Sequence, residues 1–222
     1  MKKQVLVYIS AISFCVANAQ SELIKNVFRL LPADKVYDLT PATRDSMLNG
    51  KTFYPADNDD DQIVAYNYGI STNVKDYLYV SMSFENGQRA TGLIEIRSFQ
   101  MTDGNELIIV SRSGGVWQVA YGQHELSGFL FNKARRLVPY NKKIFPATDE
   151  TIFMKPGIPD TIKNIILKNS NMAFNFSDEK VRLSLNSFYV TDNQNLRQWL
   201  KGDVVYFDWI KDRFMVSKTE FQ

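Results

Sequence analysis

The chain has 222 residues, with 26 lysines and arginines against 24 acids, one histidine and one cysteine. One cysteine excludes an intramolecular disulfide, and with one histidine it leaves too few ligands for an ordinary zinc centre. A charge so close to balance gives no electrostatic reason to expect nucleic acid or an anionic membrane as partner.

The first residues read as a cleavable secretory signal over 1–19. Lys2 and Lys3 give a positive start, and an apolar stretch runs from Val5 to Val16, broken only by Ser10 and Ser13. Ala17 and Ala19 then occupy the two small-residue positions of an A-x-A cleavage site, leaving Gln20 or Ser21 as the mature start. The apolar run falls well short of the roughly 20 residues needed to cross a bilayer, so no transmembrane span is expected. Cys15 is a passenger in this segment, because bulky Phe14 stands before it where lipidation wants a small residue. Loss of Lys2 and Lys3 from the 26 bases leaves 24, against 24 acids, in a chain without cysteine. Such a chain must be held by its hydrophobic core, for which about 200 residues suffice. The expected location is the periplasm or the outer surface of a bacterial envelope.

The mature chain opens on a helix. Ser21 is placed to cap it, Leu23, Val27, Leu30 and Leu31 recur on one face, and Pro32 stops it. A second helix is expected from Pro41 to Leu48, with Thr40 as N-cap, Pro41 in the first turn and Gly50 as the stop. Val36, Tyr37 and Leu39 lie between the two and pin the connection to the core.

From Gln62 onward the period becomes alternating. Leu78, Val80, Met82 and Phe84 fall on one strand face, with Tyr77, Tyr79, Ser81 and Ser83 on the other. Glu85-Asn86-Gly87 signals a hairpin leading into a strand from Thr91 to Phe99, and Thr102-Asp103-Gly104-Asn105 signals the next turn. Leu107 to Val110 reads as a strand, Ser113-Gly114-Gly115 as a tight turn and Val116 to Tyr121 as its return. Spacings this short leave no room for crossover helices, so the sheet is antiparallel.

Pro139, Pro146, Pro156 and Pro159 are four of the seven prolines, and they mark residues 138–159 as a connector between two β-rich lobes, 20–137 and 160–222. Beyond it a short helix is expected from Asp160 to Leu167. Strands follow at Met172 to Phe176, Val181 to Val190, Val204 to Ile210 and Arg213 to Lys218, with a helical turn from Asn193 to Leu200 closed by Gly202. The lobes share an outline, seen by setting Leu107 to Tyr121 against Val204 to Val216. A duplicated β unit and generic hairpins both account for it. The fold class is α+β: N-terminal helices packed on curved antiparallel sheet, in two β-rich lobes.

Two segments resemble a known family. Val27-Phe28-Arg29-Leu30-Leu31-Pro32, followed by Asp38-Leu39-Thr40 and Arg44-Asp45-Ser46-Met47-Leu48, is similar to the start of a secreted domain-of-unknown-function family of Bacteroidetes. The closing Tyr206-Phe207-Asp208-Trp209-Ile210-Lys211-Asp212-Arg213-Phe214 resembles that family's terminal hairpin. The resemblance implies an envelope or surface location. It implies no activity, since the family has none assigned.

The chemistry-bearing groups are sparse. Asp57, Asp59 and Asp61 have the alternate spacing of a cation loop, yet Gln62 and Tyr68 occupy the places where a helix-loop-helix calcium site needs glycine and glutamate. A solvated acidic loop is the plainer reading. His124 is the one histidine and has no recognisable nucleophile turn beside it. Glu95 and Glu106 lie on neighbouring strands and could serve as a carboxylate pair for a glycosidase-like hydrolase. An exposed ion pair between Glu95 and Arg97 on the same strand face is the simpler account. Lys133, Arg135, Arg136, Lys142 and Lys143 form a basic run that reads as a solvated connector, with the acidic 57–61 loop as a contact. Tyr77 and Tyr79 would form a platform for a sugar or a partner protein if their face is open, and core residues if helices cover it. The reading that results is an exported envelope protein without cofactor, binding another envelope protein or a glycan. A carboxylate hydrolase and a structural component of an envelope assembly are the alternatives.

Overall fold

The structure, a computed structural model, describes residues 22–49, 64–70, 74–84, 90–116, 125–147 and 149–222. Helix α1 (residues 22–30) buries Ile24, Val27, Phe28 and, just past its end, Leu31, the i, i+3, i+4, i+7 spacing of one face. Leu30, expected on that face, lies outside the stripe and is 50% exposed. Pro32 ends the helix and leads into a 3-10 turn, Ala33–Lys35. Helix α2 (Pro41–Leu48) starts as expected, its Thr40 side chain accepting from the Thr43 N–H at 3.2 Å, with Pro41 in the first turn. The buried Arg44 of α2 donates to Phe28 O (3.0 Å), Arg29 O (3.0 Å) and Leu31 O (2.6 Å), and through Nε to Leu39 O (2.8 Å). A side chain from the second helix thus satisfies the carbonyls that the end of the first leaves without intrahelical partners.

Six antiparallel strands follow in chain order: β1 (Val64–Ile70), β2 (Tyr77–Phe84), β3 (Ala90–Gln100), β4 (Glu106–Val116), β5 (Glu125–Phe131) and the short β6 (Leu137–Pro139). The β3–β4 turn forms where expected. Gln100 pairs with Glu106, the Met101 N–H bonds Asn105 O at 2.9 Å, and Gly104 takes φ +80°, which suits a residue without Cβ. The expected Glu85–Gly87 turn lies outside the described residues, although Ser83 and Thr91 on either side of it are paired.

The tight turn expected at Ser113-Gly114-Gly115 is not a turn. Strand β4 runs straight through it, with Ser113 opposite Leu93, Gly114 opposite Gly92 and Gly115 opposite Thr91. Gly92, opposite Gly114, serves a close approach: a Cβ there would stand 2.2 Å from the hydroxyl of Tyr37, which reaches over the sheet. The strand returning beside β4 is β5, which lacked a clear alternating signal. Of the expected return from Val116 to Tyr121, residues 117–121 lie outside the described residues.

After β6, a chain segment carrying a second 3-10 turn, Glu150–Phe153, and helix α3 (Asp160–Asn169) leads to a four-stranded antiparallel sheet. Its order is β7 (Asn171–Asn175), β8 (Val181–Asn186), β9 (Val204–Ile210) and β10 (Arg213–Glu220). The strand expected to reach Val190 stops at Asn186. Ser187 caps a short helix α4 (Phe188–Asp192), its hydroxyl accepting the Val190 N–H at 3.2 Å. Asn193 in turn caps α5 (Gln194–Arg197). Lys211 and Asp212, both with positive φ, make the two-residue β9–β10 turn. The Asp212 carboxylate accepts the Thr102 N–H at 2.8 Å, tying this hairpin to the β3–β4 turn.

Side-chain alternation sorts the first sheet into two cores. Leu78, Val80, Ile94, Ile96, Ile108 and Val110 pack with Ile24, Val27, Phe28, Val36, Leu39 and Met47 under the helices. Tyr77, Phe99, Leu107 and Ile109 face the second sheet and join Phe145, Phe174, Phe176, Phe207 and Phe214. Phe145 and Phe214 stack at 4.2 Å, and Phe99 meets Phe214 edge-on at 4.8 Å. The architecture is therefore α+β, with helices on one face of the larger sheet and the smaller sheet on the other.

Candidate functional site

The sequence candidates are woven into the frame of the sheets. Tyr77 is buried and its hydroxyl donates to Glu95 Oε1 at 3.0 Å. The same oxygen accepts the Phe176 N–H from the second sheet, also at 3.0 Å. Glu95 is 2% exposed. Burial pushes its carboxyl up, opposed by the two hydrogen bonds from Phe176 and Tyr77. Arg97 does not form the expected exposed ion pair with it. Arg97 is buried and donates to Phe176 O (3.1 Å), Asp178 O (2.6 Å) and Glu179 O (3.0 Å), holding the β7–β8 loop against β3. Glu95, Tyr77 and Arg97 together stitch one sheet to the other.

Glu106 is on the opposite face of the sheet from Glu95. In β3 the odd positions face the second sheet, and the pairing of Gln100 with Glu106 puts Glu106 among the even, helix-side positions. Its Oε2 accepts from the Ser98 hydroxyl at 2.5 Å. Its acidic neighbour is Asp76, a buried residue in the left-handed region (φ +49°) whose Oδ1 has no hydrogen-bond partner among the described residues. Burial pushes Asp76 up to about 6; the Lys75 charge opposes that rise and the Glu106 charge adds a smaller push in the same direction as burial. Glu95 and Glu106 thus do not converge on a common space.

Tyr79 shares the Tyr77 face and is 37% exposed, with ring centroids 6.3 Å apart. Its ring lies over Gly69, its partner across β1 and β2, where a Cβ would stand 2.3 Å from the ring. The N-terminal helices cover the Leu78 and Val80 face rather than the tyrosine face, and it is the second sheet that buries Tyr77. Asp57, Asp59, Asp61 and His124 lie outside the described residues.

A cleft of about 610 Å³ lies elsewhere, wrapped around the outer edge of β5. Its apolar lining comes from Ile109, Leu126, Phe129 and Phe145, with Pro32, Asp34 and Lys35 at one end and Pro139 to Lys143 at the other. At the first end Lys35 is paired with both Asp34 (3.3 Å) and Glu125, and Arg112 stands 3.8 Å from Glu125. The hydrogen bond to Glu125 raises the Lys35 ammonium and lowers the Glu125 carboxyl. At the second end Lys142 lies 5.8 Å from the Tyr140 ring centroid, and among the described residues neither Lys142 nor Lys143 has a carboxylate partner.

The basic run of the sequence is divided by this arrangement. Lys133, Arg135 and Arg136 sit on the turn between β5 and β6, whereas Lys142 and Lys143 reach the cleft. That run was the one sequence signal pointing here. Leu126, Gly128 and Tyr140 carried none, because only the path of the connector brings them together.

No family model matches the chain, and no curated protein matches it either. Among solved structures it is similar to a domain of an uncharacterized protein from Porphyromonas gingivalis W83, a Bacteroidetes bacterium. The TM-score is 0.54 at 11% identity, over 88% of this chain and 98% of that one, so the likeness is one of fold.

Proposed function

We propose that the chain is an exported, non-catalytic binding module of a bacterial envelope, of the Bacteroidetes family its two ends resemble, and that it engages a protein or a glycan through the β5 cleft. The observation that carries this reading is the cleft itself: about 610 Å³, apolar within, and bordered by two lysines that no carboxylate among the described residues neutralises. Export is supported by Lys2 and Lys3, the apolar run and the Ala17/Ala19 pair. The hydrolase reading loses support from the opposite-face placement of Glu95 and Glu106, since glycoside hydrolysis needs two carboxyls flanking one bond.

The test has two parts. Protein recovered from the envelope fraction should begin at Gln20 or Ser21 by N-terminal sequencing. The purified protein, screened against peptide and glycan arrays, should bind members of at least one class. Tyr140→Ala and Lys142→Glu should each weaken that binding, and Lys142→Glu, at an exposed position, should do so without lowering thermal stability. An intact Met1 terminus on cytoplasmic protein would end the export reading, and binding indifferent to both substitutions would end the assignment to this cleft.

A further inference from the structure

The course of the backbone around the cleft says more about the ligand than its volume does. Strand β6 pairs with only Phe129, Leu130 and Phe131 of β5. The Tyr140 N–H adds one bond to Gly128 O at 2.9 Å, and the chain then turns away to the second sheet. There Ile144 O accepts the Phe214 N–H at 2.8 Å and Phe145 enters the aromatic core. From Glu125 to Ser127, β5 therefore has β4 on one side and no strand of the described residues on the other.

The orientation of this open stretch follows from the Tyr140 bond. Gly128 O points outward, and backbone groups of a strand alternate sides with each residue. Leu126 therefore turns its own N–H and C=O to the open side, while Glu125 and Ser127 turn theirs to β4. Leu126, Ser127 and Gly128 all line the cleft. A donor and an acceptor on a strand edge, facing a cavity, are the elements of strand addition by an extended peptide.

We propose that this edge receives an extended acidic peptide of a partner protein, which continues the sheet past the point where β6 leaves it. The inference rests on the binding-module reading and specifies its partner. Charge selects the acidic class: Lys35 is already balanced by Asp34 and Glu125, but Lys142 and Lys143 stand at the Tyr140 end without a carboxylate partner among the described residues. A peptide carboxylate there gains an ion pair without displacing an existing one. An acidic glycan would satisfy the lysines equally well. It would leave the Leu126 N–H and C=O without the regularly spaced complement that a peptide backbone provides.

The experiment is a titration of the purified protein with a short peptide of alternating glutamate and valine, the same peptide N-methylated at alternate backbone nitrogens, and an oligogalacturonate. Affinity is read by fluorescence anisotropy and the site by amide chemical shifts. The unmodified peptide should bind, shift the Leu126 and Gly128 amides, and weaken about tenfold with Lys142→Glu/Lys143→Glu, with a matching loss at high salt. N-methylation should cost about tenfold or more, because it removes the edge-pairing donors. Equal affinity of the methylated peptide would overturn strand addition, and so would oligogalacturonate binding where the peptide does not. In both cases the binding-module reading survives. Failure of all three probes to bind would overturn the two together.

Discussion

Asp76 makes the stability of this protein depend on pH, and Asp76→Asn isolates the effect. The residue is buried, its Oδ1 has no hydrogen-bond partner among the described residues, and Glu106 lies near enough to oppose its ionisation. Its carboxyl is raised from 3.8 to about 6, so the folded protein holds this proton more tightly than the unfolded chain does. The linked stability is fully present below pH 3.8 and is lost as pH rises through about 6. A shift of that size corresponds to about 3 kcal/mol between the two limits. Asparagine keeps the shape and tolerates the left-handed backbone, but carries no charge. Urea unfolding at a series of pH values should show wild type losing about 2–3 kcal/mol relative to Asp76→Asn between pH 4 and pH 7.5. Taking the difference between the two proteins cancels the contribution of carboxyls that do not interact with Asp76, and Glu106, which does, is tested by its own substitution. Glu106→Gln should move the window to lower pH by removing the neighbouring charge. A wild-type-to-variant difference that stays constant across the series would refute the burial argument.

Two substitutions test how the frame is held. Arg44→Met keeps the aliphatic stem but orphans the carbonyls of Phe28, Arg29, Leu31 and Leu39, and it should cost about 3–5 kcal/mol in chemical denaturation. Gly202→Ala would place a Cβ 2.4 Å from the backbone oxygen of Glu220, where neither chain can yield cheaply. The melting temperature should fall by several degrees, corresponding to about 1–3 kcal/mol of overpacking; an unchanged value would mean that the end of β10 is not held against Gly202.

Local signals in the chain set much of the fold. The Thr40-Pro41 start of α2, the glycine turn at Gly104, the alternation that separates Leu78 and Val80 from Tyr77, and the β9–β10 hairpin are all written in neighbouring residues. Each depends on the conformational preference or period of a short segment, which the sequence carries by itself. Ser113-Gly114-Gly115 reads as a turn by the same local rules, and there long-range pairing with Leu93, Gly92 and Thr91 overrides it.

The site belongs to the tertiary structure. Parity within a strand is local, but parity across a hairpin depends on register, and the pairing of Gln100 with Glu106 decides that Glu106 lies behind the sheet from Glu95. A slip of one residue would have brought the two carboxylates to the same face. The cleft, too, depends on where the connector leaves β5 after Tyr140, a departure imposed by the pull of Phe145 into the aromatic core between the sheets. Sequence determined which segments become helix and strand, because those preferences act within a few residues. Which groups meet, and which edge stays open, was decided by packing between segments far apart in the chain.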